Sequence, residues 1–286
     1  METAPRPSAE DLATLEPFER FSFALADFAN RNESVKAATA AFLRTAGMKW
    51  VYYASRHLTH LVGFRALSAF KPRRGVILAC NHRSFFDMYL VTCWLYRETS
   101  LLQRTYFPVR SEFFYERPAG VAVNLIMSMM AMYPPVFRDP KKRGFNNFGL
   151  ARLVELLDHP GTVVGMHPEG RRNLSEDPYA LLPAQPGLGR LIMTAKPDVV
   201  PVFVNGLLND LPEQVRSNLN RTGKPIIIVA GEPLDLSNFY DKPNRLRTQK
   251  QVADHVLDEI RKLGEVERAL RVDVRDAPRV GPITHS

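Results

Sequence analysis

The stretch "ILACNHRSFFDMYL", residues 77–90, joins two apolar segments through a polar turn. Residues 77–80 have the composition of a buried strand, and residues 88–95 have that of an apolar helix. The turn between them carries two groups that ionise near neutral pH or below, His82 and Asp87. The stretch therefore predicts a strand, a turn and a helix, with a candidate site in the turn.

The same alternation continues along the chain. Short apolar or β-branched runs predict strands at 75–80, 105–109, 162–166, 199–204 and 225–230. Helical patterns are predicted at 84–95, 120–133, 148–157, 187–195 and 248–263. Alternation of this kind is typical of an α/β fold. We expect a mixed, largely parallel sheet flanked by helices, preceded by an N-terminal amphipathic helical element.

Three parts are expected along the chain. Residues 1–69 form the N-terminal helical element, residues 70–272 the α/β domain, and residues 273–286 a disordered tail. Between residues 34 and 86 the chain carries basic residues but no Asp or Glu. An aromatic and apolar stripe at helical spacing lies within this stretch: Trp50, Tyr53, His57, Leu61 and Phe64. Such a stripe fits a helix on an anionic lipid surface, and it fits equally a helix docked on the protein core.

The charge favours an anionic partner. The 286 residues have a net charge of +8, which suits nucleic acid, a phospholipid surface or a phosphorylated small molecule. We expect no nucleic-acid binding, because the basic residues are not interleaved with aromatic residues on a predicted sheet face. Cys80 and Cys93 lie in apolar runs without metal-ligand spacing, so buried free thiols in a reducing compartment are expected.

Residues 118–137 form the longest uncharged stretch of the chain. Pro134 and Pro135 limit its helical part to about 15 residues, or about 22 Å. A bilayer core is about 30 Å thick. We therefore expect a buried helix in preference to one that dips into a membrane, and no transmembrane segment.

His82 and Asp87 suit general-base catalysis. Ser84 is a good helix N-cap, and Asp87 falls three residues later, at the capping-box position. A helix that begins there directs Asp87 toward the turn that holds His82. A carboxylate that accepts from one imidazole nitrogen leaves the other free as a base. The alternative is structural, with Asp87 as a cap and His82 as a turn residue.

A second corner, "GMHPEGRRN" at residues 165–173, follows the predicted strand at 162–166. Gly170 permits a tight turn, and Arg171 and Arg172 offer two guanidiniums for a phosphate. Glu169 can orient an arginine or accept from a substrate hydroxyl. Upstream, Arg138 follows another apolar run. Together these residues suit a phosphorylated alcohol, although each cluster alone is more often a solvated turn.

Four short blocks in this order resemble the glycerolipid acyltransferases related to bacterial 1-acylglycerol-3-phosphate acyltransferase. The blocks are Asn-His followed by four residues and Asp (81–87), Pro-Val-Phe-Arg (135–138), His-Pro-Glu-Gly-Arg-Arg-Asn (167–173) and Val-Pro-Val (200–202). The resemblance covers about residues 70–235. In the third block His167, Arg171 and Asn173 replace the family's Phe, Thr and Ser, and the second block lacks the usual Gly.

The resemblance implies roles for particular residues. It makes His82 the catalytic base and Asp87 the residue that orients it. The residues that it implies for the acceptor's phosphate site are Arg138, Glu169, Gly170 and Arg172. Further candidates, for the site as a whole, are Asn81, Ser84 and Arg171.

The resemblance also implies a reaction. A fatty acyl group moves from an acyl thioester, acyl-CoA or acyl carrier protein, to a hydroxyl of a lysophospholipid or glycerol phosphate-type acceptor, in phospholipid biosynthesis. No cofactor or metal is expected, and the protein is expected to be cytoplasmic and peripheral to an anionic membrane. The alternatives are another acceptor, such as a lyso-aminolipid or glycolipid, and a catalytically idle membrane-binding protein of the same fold.

Overall fold

A largely parallel sheet with helices on both faces forms the centre of the protein. The computed structural model describes residues 4–276 and 284–285. The strands are β1 (Thr59–Val62), β2 (Val76–Cys80), β3 (Arg104–Tyr106), β4 (Val109–Arg110), β5 (Pro135–Val136), β6 (Thr162–Met166), β7 (Asp198–Asn205), β8 (Ile226–Ala230) and β9 (Thr284–His285). The main sheet has the order β3-β6-β2-β7-β8-β1-β9, and β4 and β5 pair separately. Only β7 and β8 pair antiparallel among these described strands, which confirms the predicted fold class.

Thirteen α-helices surround these strands in the described residues. They are α1 (Ala9–Ala13), α2 (Pro17–Arg31), α3 (Glu33–Phe42), α4 (Lys49–Ser55), α5 (Phe64–Ala69), α6 (Asp87–Glu98), α7 (Ser111–Phe114), α8 (Pro118–Ser128), α9 (Arg143–Leu157), α10 (Pro186–Ala195), α11 (Leu211–Leu219), α12 (Ser237–Tyr240) and α13 (Leu246–Asp276). A π-helical turn, Leu43–Gly47, joins α3 to α4, and a 3₁₀ turn, Pro140–Lys142, precedes α9.

The strand β2 is apolar along its whole length. All five of its residues are buried, because helices cover both faces of the sheet. Ile77 and Ala79 pack into the core beside α9, α10 and α13. Val76, Leu78 and Cys80 pack into the core beside α4 and α6. The period of two along the strand thus divides its side chains between two hydrophobic cores.

The aromatic stripe at residues 50–64 is not one helix. The helix α4 ends at Ser55, and Leu61 lies in β1, which pairs parallel with β8. The sheet therefore begins inside the predicted N-terminal element and not at residue 70. Part of the stripe contacts the protein core, since Trp50 packs edge-on against Phe86 and Phe64 is buried, whereas Tyr53 exposes 53% of its surface. Of the two interpretations left open by the sequence, the docked one fits this packing.

The helices before β1 also belong to the core. Phe23 of α2 packs edge-on against Phe145 and Phe148 of α9. The buried Lys36 of α3 donates from Nζ to the Thr105 carbonyl at 3.0 Å. The helices α2 and α3 are therefore integral parts of the fold.

Two further elements differ from the prediction. The apolar helix α8 ends at Ser128, and it is not fully buried, since Ile126 exposes 73% of its surface. The last helix α13 runs to Asp276, into the stretch 273–286 for which disorder is expected, and Thr284–His285 pairs with β1. The rest of that stretch lies outside the described residues. Within the described residues, no helix combines the length and apolar character that crossing a bilayer requires.

The strand order determines where loops meet. The strands β6, β2 and β7 are adjacent and parallel, so their carboxyl ends lie at one edge of the sheet. Ligands of open α/β sheets bind at this edge. Both polar corners of the sequence, after β2 and after β6, are located there.

Candidate active site

Asn81 fixes the start of the loop after β2. Its side chain is fully buried, donates from Nδ2 to the Val204 carbonyl at 2.9 Å and accepts from the Val204 amide at 2.8 Å. This pair of bonds attaches the loop to β7 beyond the end of the β2 ladder. His82, the next residue, is thereby held at the sheet edge.

His82 and Asp87 contact each other as the sequence predicts. The Nδ1 atom of His82 lies 3.3 Å from Oδ2 of Asp87. The same oxygen accepts from the backbone amides of Arg83 at 2.6 Å and Ser84 at 2.7 Å. The helix begins at Asp87 and not at Ser84, so only the carboxylate half of the predicted capping box forms. The carboxylate favours the Nδ1–H form of the ring, which leaves Nε2 as the nitrogen that can take a proton.

Glu169 joins the two corners. Its carboxylate is buried, accepting from the His82 amide at Oε1 (2.9 Å) and from the Leu182 amide at Oε2 (2.7 Å). Gly170 follows with a φ of +66°, the left-handed conformation that favours glycine. The carboxylate of Glu169 is thus engaged by the backbone, where the sequence suggested an arginine or a substrate hydroxyl.

His167 stacks on the predicted base. The rings of His82 and His167 are 3.8 Å apart between centroids and 7° from parallel. The Nδ1 atom of His167 lies 2.9 Å from the Cys80 carbonyl and 3.0 Å from the Asn81 carbonyl. Because both neighbours are acceptors, Nδ1 carries the proton.

Burial sets the protonation of the pair. It lowers the pKa of His82 to about 4, and the Arg172 and Arg110 guanidiniums act in the same direction. Burial raises the pKa of Asp87 to about 6, and hydrogen bonds from the Ser84 and Arg83 amides oppose that rise. At neutral pH the pair is a neutral imidazole beside a carboxylate, the state that a general base requires.

The nearby thiol is not a competing nucleophile. Cys80 is fully buried as the last residue of β2, as expected from the sequence. Burial raises the pKa of the Cys80 thiol well above its ordinary value, and the Asp87 carboxylate adds to this effect. A protonated, inaccessible thiol does not attack a substrate.

A pocket lined by both basic and acidic residues lies near this pair, since its lining residue Arg110 acts on the pKa of His82. It measures about 220 Å³, and its lining residues are Arg110, Ser111, Glu112, Glu116, Val136, Phe137, Arg138, Asp139 and Lys142. Arg110 donates to the Gly170 carbonyl at 2.7 Å, which ties the pocket to the second corner. Lys142 is held by an ion pair with Glu19 of α2. Arg110 forms a longer ion pair with Glu112, at 3.6 Å, and Arg138 is the third cation of a lining that also holds three acidic residues.

The predicted phosphate-binding arginines are divided. Arg138 lines the pocket, and the exposed Arg171 is close enough to depress the pKa of Arg110, although burial of Arg110 is the larger cause. Arg172 instead places its guanidinium 3.7 Å from the ring centroid of Phe85 and donates to Asn209 Oδ1 at 3.2 Å. Arg172 is not among the residues that line the pocket.

Sequence reasoning missed Arg110, Phe85 and Asn209. Arg110 directly follows the predicted strand 105–109, so the rule that selected Arg138, a basic residue after an apolar run, would have found it. Asn209 is separated from Phe85 by 124 positions yet accepts from the Phe85 amide at 3.2 Å. No local pattern marks such a contact. Ser84, a further candidate, is buried and donates to the Leu208 carbonyl at 3.3 Å, a structural role.

Comparison with known protein families gives a match over the region that contains both corners. A family model described as Acyltransferase matches residues 62–205, which include both corners and Arg138. No curated protein matches the chain. Since the family model covers half of the 286 residues, the chain belongs to the acyltransferase family.

Proposed function

We propose that the protein is an O-acyltransferase of phospholipid biosynthesis. It moves a fatty acyl group from an acyl thioester, acyl-CoA or acyl carrier protein, to a hydroxyl of a lysophospholipid or glycerol phosphate-type acceptor. The observation that carries this proposal is the juxtaposition of a neutral His82 backed by Asp87 with the pocket of Arg110 and Arg138. A base near a pocket that contains two arginines suits an alcohol that bears a phosphate.

The chemistry needs one proton acceptor that later becomes a donor. Nε2 of His82 takes the proton of the acceptor hydroxyl as its oxygen forms a bond to the thioester carbonyl carbon. The carbon–sulfur bond of the tetrahedral intermediate then breaks, and the thiolate leaves with the proton from His82. Asp87 stabilises the imidazolium between these steps. General-base assistance of this kind typically contributes about 10²–10⁴-fold.

The acceptor's phosphate is placed between Arg110 and Arg138. Two guanidiniums can bind a phosphate in a bidentate manner, which fixes the orientation of the attached hydroxyl. Glu169 and Gly170 shape the wall beside His82 through the backbone, because the Gly170 carbonyl holds Arg110 in place. The resemblance adds Arg172 to this phosphate site.

Thiol release from palmitoyl-CoA tests the proposal. We expect release that depends on lysophosphatidate and falls at least about 100-fold in His82→Ala. Release without acceptor would identify a thioesterase. Release that needs a lyso-aminolipid or glycolipid would establish the alternative acceptors, which the replacements at Arg171 and Asn173 favour. A protein with no transfer from either CoA or carrier-protein donors would be the catalytically idle member of the fold.

The same proposal places the enzyme on the cytoplasmic face of an anionic membrane, where its lipid acceptor resides. The exposed apolar face of α8, with Val123, Leu125 and Ile126, supports this placement. The π-helical turn beside α8 supplies the exposed Arg44 for anionic lipid. Cys80 and Cys93 are free and buried, which suits a reducing compartment.

Vesicle sedimentation tests the membrane placement. Because the N-terminal helices pack into the core, point substitutions are a better test than deletion. Ile126→Asp should reduce sedimentation with phosphatidylglycerol vesicles several-fold. Leu246→Asp, which alters an exposed leucine of α13, is the matched control and should not. Equal sedimentation of both variants and wild type would exclude α8 as the contact surface.

A further inference from the structure

The ring of His82 needs a support that its backbone does not give. The His82 amide donates to Glu169 Oε1 at 2.9 Å, and the His82 carbonyl accepts from the Asn173 amide at 2.7 Å. These bonds fix the backbone on both sides of the Cα atom. The torsion that turns an imidazole about its Cβ–Cγ bond has only broad minima, so contacts of the ring itself must set its plane.

Asp87 gives part of that support. Its Oδ2 atom accepts from the Arg83 amide at 2.6 Å and from the Ser84 amide at 2.7 Å, whereas Nδ1 of His82 lies 3.3 Å away. The last distance is longer than the usual range for an N–H···O hydrogen bond. The carboxylate therefore favours one tautomer through its charge, but a single long contact does not fix the tilt of the ring.

His167 supplies a second contact to the same ring. The two imidazoles are 3.8 Å apart between centroids and 7° from parallel. The His167 ring is itself anchored, because its Nδ1 donates to the Cys80 carbonyl at 2.9 Å and to the Asn81 carbonyl at 3.0 Å. A side chain from the loop after β6 is thereby held against the end of β2, in the plane on which His82 lies.

The stacked ring stays uncharged when the base takes up its proton. Burial lowers the pKa of His167 to about 3, and His82 acts in the same direction, against the opposing effect of Asp87. The charged groups that act on His82 are Arg172 and Arg110, together with the Asp87 carboxylate at its Nδ1. His167 adds no third positive charge, and the face of an uncharged aromatic ring attracts a cation.

We propose that His167 is a positioning residue of the reaction, whose ring holds the plane of the His82 imidazole and so directs Nε2 at the acceptor hydroxyl. This role rests on the proposed function and names the residue that orients the base together with Asp87. A tilt of the imidazole moves Nε2 away from the hydroxyl, and the rate of a positioned reaction falls steeply with displacements of about 1 Å.

Two substitutions separate the aromatic face of His167 from its hydrogen bonds. His167→Phe keeps a face and removes the donor, whereas His167→Asn keeps a donor at about the position of Nδ1 and removes the face. We expect kcat to stay within about twofold in His167→Phe and to fall about 5–10-fold in His167→Asn, near the upper end of what a stacked pair contributes. KM for donor and acceptor should be unchanged in both variants.

The matched control is His159→Phe, which alters an exposed histidine and should leave kcat and KM unchanged. Thermal melting checks that each variant is folded. A merely structural His167 would give the opposite order, since His167→Asn would then keep the anchor to the end of β2 and His167→Phe would lose it.

Proton NMR of the His82 ring tests the stack without turnover. Each ring of a parallel stack shields the protons of the other, so the carbon-bound ring protons of His82 should resonate upfield of their positions in an unstacked histidine. The shift should persist in His167→Phe and disappear in His167→Asn. The signals are assigned by their absence from the spectrum of His82→Ala.

Several results would overturn the assignment. They are a kcat that is kept in His167→Asn, equal losses in both variants, a change in KM in place of kcat, and His82 proton shifts that are the same in His167→Asn as in wild type. Shifts that depend on the aromatic face at position 167, in a protein that transfers no acyl group, would instead refute the proposed function and leave the support of the His82 ring by His167 intact.

Discussion

The two corners of the site each bury a carboxylate, but they use its oxygens differently. Asp87, after β2, receives His82 Nδ1 and the Arg83 and Ser84 amides on one oxygen, Oδ2. Glu169, after β6, receives one backbone amide on each of its two oxygens. Asp87 therefore needs one acceptor oxygen and its charge, whereas Glu169 needs two acceptor oxygens. The first arrangement serves the imidazole, and the second connects loops.

Among substitutions that compare the two corners, Asp87→Asn gives the largest expected effect. An amide oxygen can still accept all three hydrogen bonds, but it has no charge to stabilise the imidazolium of His82. Hydrogen bonds to charged groups contribute about 1.5–3 kcal/mol, so kcat should fall about 10–100-fold. Stability should be kept or increased above pH 6, because burial raises the pKa of Asp87 and its ionised form costs folding free energy there.

Steady-state rates and thermal melting at pH 7.5 check this prediction together. A variant that unfolds at a clearly lower temperature would show that the carboxylate of Asp87 is structural, and the contrast with Glu169 would then fail. Unchanged kcat would show that His82 works without it.

The pH profile of kcat/KM should separate the two members of the pair. As the pH falls through about 6, Asp87 gains a proton and its charge is lost; near pH 4 the base itself is protonated. Activity should be level above pH 7 and decline below 6, up to about tenfold per pH unit for each proton taken up. In Asp87→Asn the decline near pH 6 should be absent, and only the decline near pH 4 should remain. An acid limb near pH 6.5 in both proteins would mean that His82 titrates as an ordinary histidine.

Much of the sheet could be predicted from sequence because its strands are buried on both faces. The runs at 75–80 and 162–166 match β2 and β6 within a residue, since an apolar run of that length has few other uses. The strand β1 could not be predicted, because its four residues continue the helical spacing that begins at Trp50. The exposed face of α8 could not be predicted either, because an apolar sequence is compatible with a helix face in a core and with one in solvent.

The site was predictable where it depends on neighbours in the chain. Asp87 lies in the first turn of α6, so its approach to His82 follows from local geometry. The position of the Arg172 guanidinium does not follow from local geometry, because only tertiary contacts set the direction of that side chain. For Arg172 these are the contacts of its guanidinium with the Phe85 ring and Asn209 Oδ1.

Glu169→Gln should affect stability more than chemistry. One of its two oxygens becomes an NH₂ group that faces a backbone N–H, either that of His82 or that of Leu182. A buried donor left without an acceptor costs about 1–3 kcal/mol, so the free energy of unfolding should fall in urea titrations by up to that amount. Burial raises the pKa of Glu169, so loss of its charge offsets part of this cost. Asp87→Asn removes a buried charge in the same way, so the difference between the two variants isolates the lost acceptor.

The smallest effect is expected from Arg83→Ala, which removes a surface connection between the loops that follow β2 and β6. Its guanidinium donates to Ser175 Oγ at 3.1 Å, the Ser175 carbonyl at 2.6 Å and the Asp177 carbonyl at 3.1 Å, all at the surface. Water can replace such bonds, and surface substitutions usually change stability by less than about 0.5 kcal/mol. The backbone amide of Arg83 still donates to Asp87 in the variant, so kcat should change by no more than about threefold, or 0.7 kcal/mol. If urea titration showed Arg83→Ala to be as destabilising as Glu169→Gln, the surface contact and not the buried carboxylate would hold the corners together.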